Sequence, residues 1–367
     1  MSPRYKVVVV GTGIGRAHLR AYQSLPALFE VVAVCAAERS EAQTCADEFG
    51  IPLALEGIDE ACAADADIVD ICTPPYLHAE HASKALIAGK HAICEKPLAG
   101  SLHDVDALIA AEAASGRRLM PIFQYRFGHA FQKLKRLREA GVTGRALVTA
   151  INVHWRRRAP YYDVPWRGHW QTELGGALTG HAIHALDMLT YIIGPVRSVY
   201  ARIATRVNDI EVEDCAAVVL EMADGSLATL SLTLGSAPEE SRHRFVFENL
   251  VAESNTRPYD SSGEPWTFTP DTPEAGAAIE AALAGFTPEP EVFAGQFARY
   301  HRALATGGPL PVTLADARAS IELLTAMYAS AATNRPVELP IERNHPMYSG
   351  WQSHWLNAEP DAARLRR

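Results

Sequence analysis

No apolar run in this sequence approaches the roughly 18–20 residues that a membrane-spanning helix requires. The four valines after Lys6 are too short for the apolar region of a secretory leader, and glycine-rich sequence follows at once. Cysteine is sparse and unpatterned: Cys35, Cys45, Cys62, Cys72, Cys94 and Cys215 form no C-x-x-C pair. They are read as buried, reduced thiols of a cytoplasmic protein, and no metal framework is expected. There is no excess of positive charge either, since 34 Lys and Arg against 43 Asp and Glu give a net charge of −9. A nucleic-acid or anionic-membrane partner is therefore excluded on global electrostatics. No internal repeat is evident.

What remains is a globular composition, with 48% hydrophobic and 21% charged residues over 367 positions. That length suits about two domains. The first part alternates short apolar runs with helix-like stretches. Strands are expected at Lys6–Val10, Val31–Cys35, Ile68–Cys72, His91–Cys94 and Leu119–Phe123. Helices are expected at Arg16–Leu25, Ser40–Phe49, His78–Ala88 and Ser101–Ser115. This order predicts an α/β, doubly wound parallel sheet of the Rossmann kind over residues 1–124. From residue 125 the pattern changes. A helix at Phe131–Ala140 is followed by alternating runs at Arg145–His154, Val196–Arg206, Ala216–Met222 and Ser226–Leu234, the last two joined at Ala223-Asp224-Gly225, a hairpin signal. Residues 125–367 are expected to form an α+β substrate and oligomerisation domain on a large, mostly antiparallel open sheet. The Pro-, Gly- and Ser-rich stretch Ala252–Pro290 reads as a surface excursion, with helices at Phe293–Ala305 and Leu314–Ala332 after it.

Gly11-Thr12-Gly13-Ile14-Gly15 lies between the first strand and the first helix, where backbone N–H groups and a helix N-terminus can face a pyrophosphate. The G-x-G-x-x-G fingerprint would place glycine at 16, but that residue is Arg16, so the spacing is one residue short. An acid at the tip of the second strand would bind the ribose 2′-hydroxyl of NAD. Ala36 stands at that place, with Glu38 just beyond as a substitute, while Arg39 and Ser40 could instead hold the 2′-phosphate of NADP. NAD and NADP both stay open on these residues.

Further motifs follow in order: His18 behind the glycine loop, Thr73-Pro74 with His78 and Gly89-Lys90, Glu95-Lys96-Pro97, Tyr125-Arg126-Phe127, Gly175-Gly176 with His184 and Asp187, and Pro336-Val337-Glu338-Leu339-Pro340. In these the chain resembles the glucose–fructose oxidoreductase/inositol dehydrogenase (Gfo/Idh/MocA) family over nearly its whole length. Lys96 follows a buried strand at its C-terminal end, where open α/β sheets bind ligands. The resemblance implies that Lys96 approaches the nicotinamide and the reacting hydroxyl, that the Lys96–Pro97 peptide is cis, and that His184 is the acid/base residue. It also implies that Gly11, Thr12, Gly13, Ile14, Gly15, Ala36, Glu38, Arg39, Thr73, Pro74, His78, Glu95 and Lys96 face the dinucleotide, and that the second-domain sheet mediates a homo-oligomer, a dimer or tetramer.

Histidine suits the proton exchange of alcohol oxidation near neutral pH. His181, His184 and Asp187 recur every third residue, near one face of an expected helix. Many polyol-oxidising members of the family carry Asp four residues before the acid/base His; here that residue is Gly180, so either His181 supplies the polar contact or the relay is shorter. Trp155, Tyr161, Trp166 and Arg167 are aromatic and cationic, as a wall for sugar rings and their hydroxyl or carboxylate edges would be. With Tyr125, Arg126, His181 and His184 they are the expected substrate contacts. The expected activity is NAD(P)-dependent hydride transfer at a hydroxyl-bearing carbon of a sugar, sugar acid, inositol or glycoside. The alternative is a glycosidase that oxidises its substrate transiently, eliminates the leaving group and re-reduces the product. A cofactor-sensing regulator on the same fold is disfavoured because Lys96 and His184 are both present.

Overall fold

The computed structural model describes residues 3–356, which form two compact units, 3–124 with 290–318 and 125–289 with 319–356. The segment 290–318, expected in the second domain, thus belongs with the first. Chain order alone suggested otherwise because helical periodicity does not say which sheet a helix covers.

The first unit carries six parallel strands: β1 (Tyr5–Val10), β2 (Phe29–Ala36), β3 (Leu53–Glu56), β4 (Ile68–Ile71), β5 (His91–Cys94) and β6 (Leu119–Pro121). Their spatial order is β3-β2-β1-β4-β5-β6, a doubly wound sheet whose order reverses between β1 and β4. Val7–Val10 and Ile68–Ile71 are buried at every position, as parallel strands covered on both faces must be. β3 and the short helix Gly57–Ala63 were not expected; β3 is a half-exposed edge strand of four residues, too short to show a periodicity. The helix Val292–Thr306 closes this unit. Its fully buried Gln296 accepts from Phe123 N–H at 3.2 Å and donates to Pro121 O at 2.7 Å, satisfying the backbone at the edge strand. Phe297, fully buried, stacks on Tyr22 at 4.5 Å, a contact whose loss by truncation to alanine costs about 3–5 kcal/mol.

The second unit is built on an eight-stranded sheet: β7 (Ala146–Arg156), β8 (Val196–Ala204), β9 (Cys215–Met222), β10 (Leu227–Thr233), β11 (Gly235–Phe247), β12 (Leu250–Glu253), β13 (Thr267–Pro270) and β14 (Val337–Glu338). The order is β13-β12-β11-β7-β10-β9-β8-β14, antiparallel except for the parallel pair β7 and β10. Alternating burial along β9 and β10 leaves one face covered and one exposed. The exposed face holds Val148 beside its register partner Leu227, with Val219 near, at 41%, 52% and 51% exposure. The hairpin at Asp224-Gly225 is present, with Gly225 at φ +86° and the Asp224 carboxylate accepting from Ser226 N–H at 3.0 Å. The stretch expected as a surface excursion instead contains β12, β13 and the helix Pro273–Leu283, capped by the Thr272 hydroxyl. Short strands among prolines and glycines leave too little periodicity to read.

Candidate functional site

In the first unit the glycine loop resolves its unusual spacing. Gly11 has φ +109°, and a Cβ there would overlap the Cys72 carbonyl, so β4 approaches the loop backbone directly. A Cβ on Gly15 would stand 3.1 Å from Val9 Cγ1, so Gly15 sets how closely the first helix rests on β1. That is the task of the third fingerprint glycine, performed one residue earlier. Gly13 differs, since among the described residues nothing beyond its chain neighbours lies within 4 Å of where its Cβ would be. Thr12 donates its hydroxyl to Glu41, Ile14 is 45% exposed, and Arg16 turns back to the Thr12 carbonyl and to Glu48 at 2.8 Å.

At the tip of β2, Ala36 ends the strand and Glu38 is exposed before the helix Arg39–Phe49. Arg39 is engaged, donating to both Glu60 oxygens at 2.7 Å and to Ala54 O at 2.8 Å. Around the end of β4, the buried His78 places its ring nitrogens 2.8 Å from Thr73 O and 2.7 Å from Pro97 O, tying the Thr73-Pro74 turn to the Glu95-Lys96-Pro97 segment. Burial pushes the His78 imidazole below its usual range. The Lys96–Pro97 peptide is cis. Glu95 is 4% exposed, and its Oε2 accepts from Lys96 N–H at 3.0 Å, while the Lys96 side chain is half-buried.

Glu95 Oε1 lies 3.1 Å from His18 Nε2, and His18 Nδ1 lies 2.9 Å from Asp70 Oδ2. Tyr22 donates to the same Asp70 oxygen at 2.9 Å. Burial opposes charge on His18, but Asp70 and Cys72 outweigh it and hold the imidazole well above its usual range. Asp70 and Tyr22 were not expected at the site. The available signal was an acid inside an apolar strand, which must find a partner when both faces are covered.

In the second unit the helix bearing His184, Ile183–Ile193, is preceded by a π-helical turn over Leu178–Ala182. The three-residue spacing therefore does not carry straight through, and each polar residue meets different neighbours. His181 stands edge-on to Trp155 at 5.1 Å, with Nε2 3.4 Å from the Tyr161 hydroxyl. His184 lies 4.7 Å from the Tyr125 ring. Asp187 takes both Nε and a terminal nitrogen of Arg126, at 2.8 and 2.6 Å. Arg126, expected to face substrate, is 4% exposed and committed to this pair and to the Tyr191 ring at 4.6 Å. Among the expected wall residues, Trp155 is buried and donates to Ser241 Oγ at 2.9 Å. Arg167 lies 3.9 Å over Tyr161 and 4.3 Å over Trp166, and reaches Glu173 at 3.5 Å. Beside Gly180, the nearest atom to a Cβ position is Glu173 Oε1 at 3.9 Å.

Glu213, fully buried, anchors the turn leading into this helix. Its carboxyl accepts from Gly176 N–H at 3.0 Å, Leu178 N–H at 2.9 Å and the Tyr328 hydroxyl at 3.1 Å. A Cβ on Gly176 would overlap the Glu213 carbonyl, which accounts for the second glycine of Gly175-Gly176.

A glycine loop at the switch point of a doubly wound sheet, with a lysine just beyond β5, marks a chain with a dinucleotide-binding fold. Two family models match it: "Oxidoreductase family, NAD-binding Rossmann fold" over residues 5–123, and "GFO/IDH/MocA C-terminal domain" over residues 131–249. The chain belongs to the Gfo/Idh/MocA family, and its first unit is an NAD-binding Rossmann domain. It is 33% identical over 190 residues to inositol 2-dehydrogenase 3 of Saccharopolyspora erythraea, covering 51% of this chain and 53% of that protein. It is 34% identical over 212 residues to levoglucosan dehydrogenase of Pseudarthrobacter phenanthrenivorans, covering 54% of each. The chain thus spans about half the length of these two curated relatives. The crystal structure of the WlbA dehydrogenase from Bordetella pertussis in complex with NADH and UDP-GlcNAcA matches with a TM-score of 0.82 at 26% identity, over 93% of this chain and 100% of that one. No helix among the described residues is long and apolar enough to cross a membrane.

Burial raises the Glu213 carboxyl to about 7 from an ordinary value of 4.5, against the backbone donors that pull it down. The folded state therefore holds a proton that the unfolded chain releases above pH 4.5, and this contribution to stability is lost as pH rises through about 7. The thermal midpoint should fall by about 5 °C between pH 5 and pH 8 on this account. In Glu213→Gln that slope should flatten; an unchanged slope in the folded variant would assign the pH dependence elsewhere.

Proposed function

We propose that the protein is an NAD-dependent dehydrogenase acting on a hydroxyl-bearing carbon of a sugar, sugar acid, inositol or glycoside. The observation that carries this reading is Lys96, held by its own backbone N–H to the buried Glu95 at the end of a strand in an NAD-binding domain. The named substrates of relatives, inositol and levoglucosan, and the UDP-sugar in the WlbA structure support the carbohydrate class.

The residues fit the dinucleotide. A positive φ and a close contact call for glycine at 11, and a close contact for glycine at 15, whereas the open space at Gly13 suits a ligand resting on the loop backbone. N–H groups of Thr12–Gly15 would hold the pyrophosphate. Exposed Glu38 would take the ribose hydroxyl, and the engagement of Arg39 by Glu60 favours NAD over NADP. Thr73, Pro74 and His78 shape the rim beside Lys96. When bound, NAD supplies the hydride acceptor or donor. Lys96 donates to the reacting oxygen and stabilises negative charge as it develops there. His184 takes the hydroxyl proton in oxidation and returns it in reduction. Tyr125, Trp155, Tyr161, Trp166 and Arg167 receive the sugar faces and edges, with His181 positioned through Tyr161. Glu173 supplies the carboxylate beside Gly180 that an aspartate at 180 would otherwise provide.

The exposed apolar face around Val148, Val219 and Leu227 is read as the self-association surface. Sedimentation should show an oligomer that Val148→Glu with Leu227→Glu converts to monomer; a wild-type monomer would rule this out.

The catalytic reading is tested by nicotinamide reduction scanned over sugars, inositols and uronic acids with NAD and NADP in parallel. Lys96→Met should lower kcat by about 10²–10³-fold while NAD affinity stays within a few-fold. Gly13→Ala should weaken NAD about tenfold, or roughly 1.4 kcal/mol, without lowering Tm. A Lys96→Met enzyme with wild-type turnover sinks the assignment. Release of aglycone from an aryl glycoside without net reduced nicotinamide would replace it with the glycosidase reading. On a substrate so found, Glu173→Gln should cost about 10²-fold in kcat, and adding Gly180→Asp should recover part of it. No recovery, with the protein folded, would separate Glu173 from the chemistry.

A further inference from the structure

His18 has no place in the reaction as stated, yet its ring is fully enclosed within the first unit. Its exposure is 0%, like that of Asp70, and Glu95 is at 4%. Burying a histidine between two carboxylates is costly unless all three groups are paired, and here each oxygen facing the ring has a ring nitrogen at hydrogen-bond distance. Every element around it contributes. Its own helix supplies Tyr22, whose hydroxyl donates to Asp70 at 2.9 Å. β4 supplies Asp70, and Cys72 just beyond it lies with Sγ 3.3 Å from Nδ1. β5 leads to Glu95. The returning helix covers the ring with Phe293 and Phe297, at centroid distances of 4.5 and 5.2 Å, and adds Tyr300, buried near the same carboxylate.

The two Glu95 oxygens have different tasks. Oε1 meets His18 Nε2 at 3.1 Å, and Oε2 receives the Lys96 backbone N–H at 3.0 Å. A carboxylate held at one oxygen by a donor cannot rotate the other away. We propose that His18, clamped by Asp70, is a positioning residue for Lys96: it fixes Glu95 as a charged, oriented acceptor beneath the lysine and so sets the lysine's backbone placement and its tendency to stay protonated. The ring exerts this through Glu95 and does not itself meet the substrate. The relay is Tyr22 to Asp70 to His18 to Glu95 to Lys96, all within the first unit.

Removing the ring leaves Asp70 and Glu95 as two buried carboxylates without the cation between them. At least one must take up a proton. If Glu95 is neutralised or turns, Lys96 loses its anionic neighbour and releases its own proton more readily.

The test follows Lys96 directly. Lysines of the full-length protein are methylated reductively with ¹³C, and the Lys96 resonance is identified by its absence in Lys96→Arg. In His18→Gln and in the isosteric Asp70→Asn, the Lys96 titration midpoint should fall by about one unit or more. Tyr22→Phe, which deletes one hydrogen bond and is the mildest of the three, should move it in the same direction by less. NAD affinity should change less than about threefold. With a substrate in hand, kcat should drop about tenfold or more, and the alkaline limb of its pH profile should move to lower pH with the midpoint. A folded His18→Gln or Asp70→Asn protein with wild-type Lys96 titration overturns the proposal; should both fail to fold, an unmoved midpoint in Tyr22→Phe does so. The proposal rests on reading Lys96 as the donor to the reacting oxygen, and the two can fail separately. An active Lys96→Met enzyme defeats that reading whatever the titrations show. An inactive Lys96→Met enzyme beside an unaltered His18→Gln enzyme defeats only the positioning role.

Discussion

The contact between His18 and its two carboxylates is the constraint around which the first unit is arranged. A charge placed where water cannot reach must be answered within hydrogen-bond distance, and this one is answered by a carboxylate on each side. Asp70 sits inside β4, Glu95 just beyond β5, and His18 on the first helix, so the contact fixes that helix against two neighbouring strands. The aromatic residues of the helix Val292–Thr306 then cover the ring and keep it dry. This buried core is continuous with the lysine at the mouth of the sheet, through a single carboxylate.

The second unit meets the same problem with other materials. Glu213 is answered by two backbone N–H groups and a tyrosine hydroxyl, and Asp187 by the fork of Arg126. Each of these contacts holds one part of the His184 helix: Glu213 the turn that enters it, Asp187 its first turns. The π-helical turn between them separates His181 and His184, so that one ring meets Trp155 and Tyr161 while the other meets Tyr125. Polar groups buried in pairs thus act here as a coordinate system for the groups that stay half-open.

Much of this was legible in the sequence because the relevant signals are local. The continuous apolar run at Val7–Val10, the Ile68–Ile71 run broken only by Asp70, the glycine loop and the Asp224-Gly225 turn each state their conformation within a few residues. The Lys96 segment was legible by its motif. Long-range facts were not. Nothing local says that Gln296 satisfies the edge strand β6, that Asp70 pairs with a histidine 52 positions earlier, or that Glu173 comes beside Gly180. The π turn was invisible because Leu-Thr-Gly-His-Ala reads as ordinary helix. Arg126 and Asp187 were each noticed, one as a substrate contact and one in the helical repeat with His181 and His184, but 61 residues of separation hid that they bind each other.

The return of residues 290–318 to the first unit has a consequence for how the protein comes into being. During synthesis the six parallel strands emerge within the first 124 residues, but Phe293, Gln296 and Phe297 follow only after β7–β13 of the second unit have been made. Until then the histidine–carboxylate contact lacks its aromatic cover and the edge strand lacks its backbone partner. Vectorial folding of the nucleotide-binding half cannot be completed until residues 125–289 have been synthesised, and a fragment ending near residue 124 would expose surface that the native chain never shows. Gene fusions or truncations that treat the first 124 residues as a portable nucleotide-binding module would therefore separate it from part of its own interior.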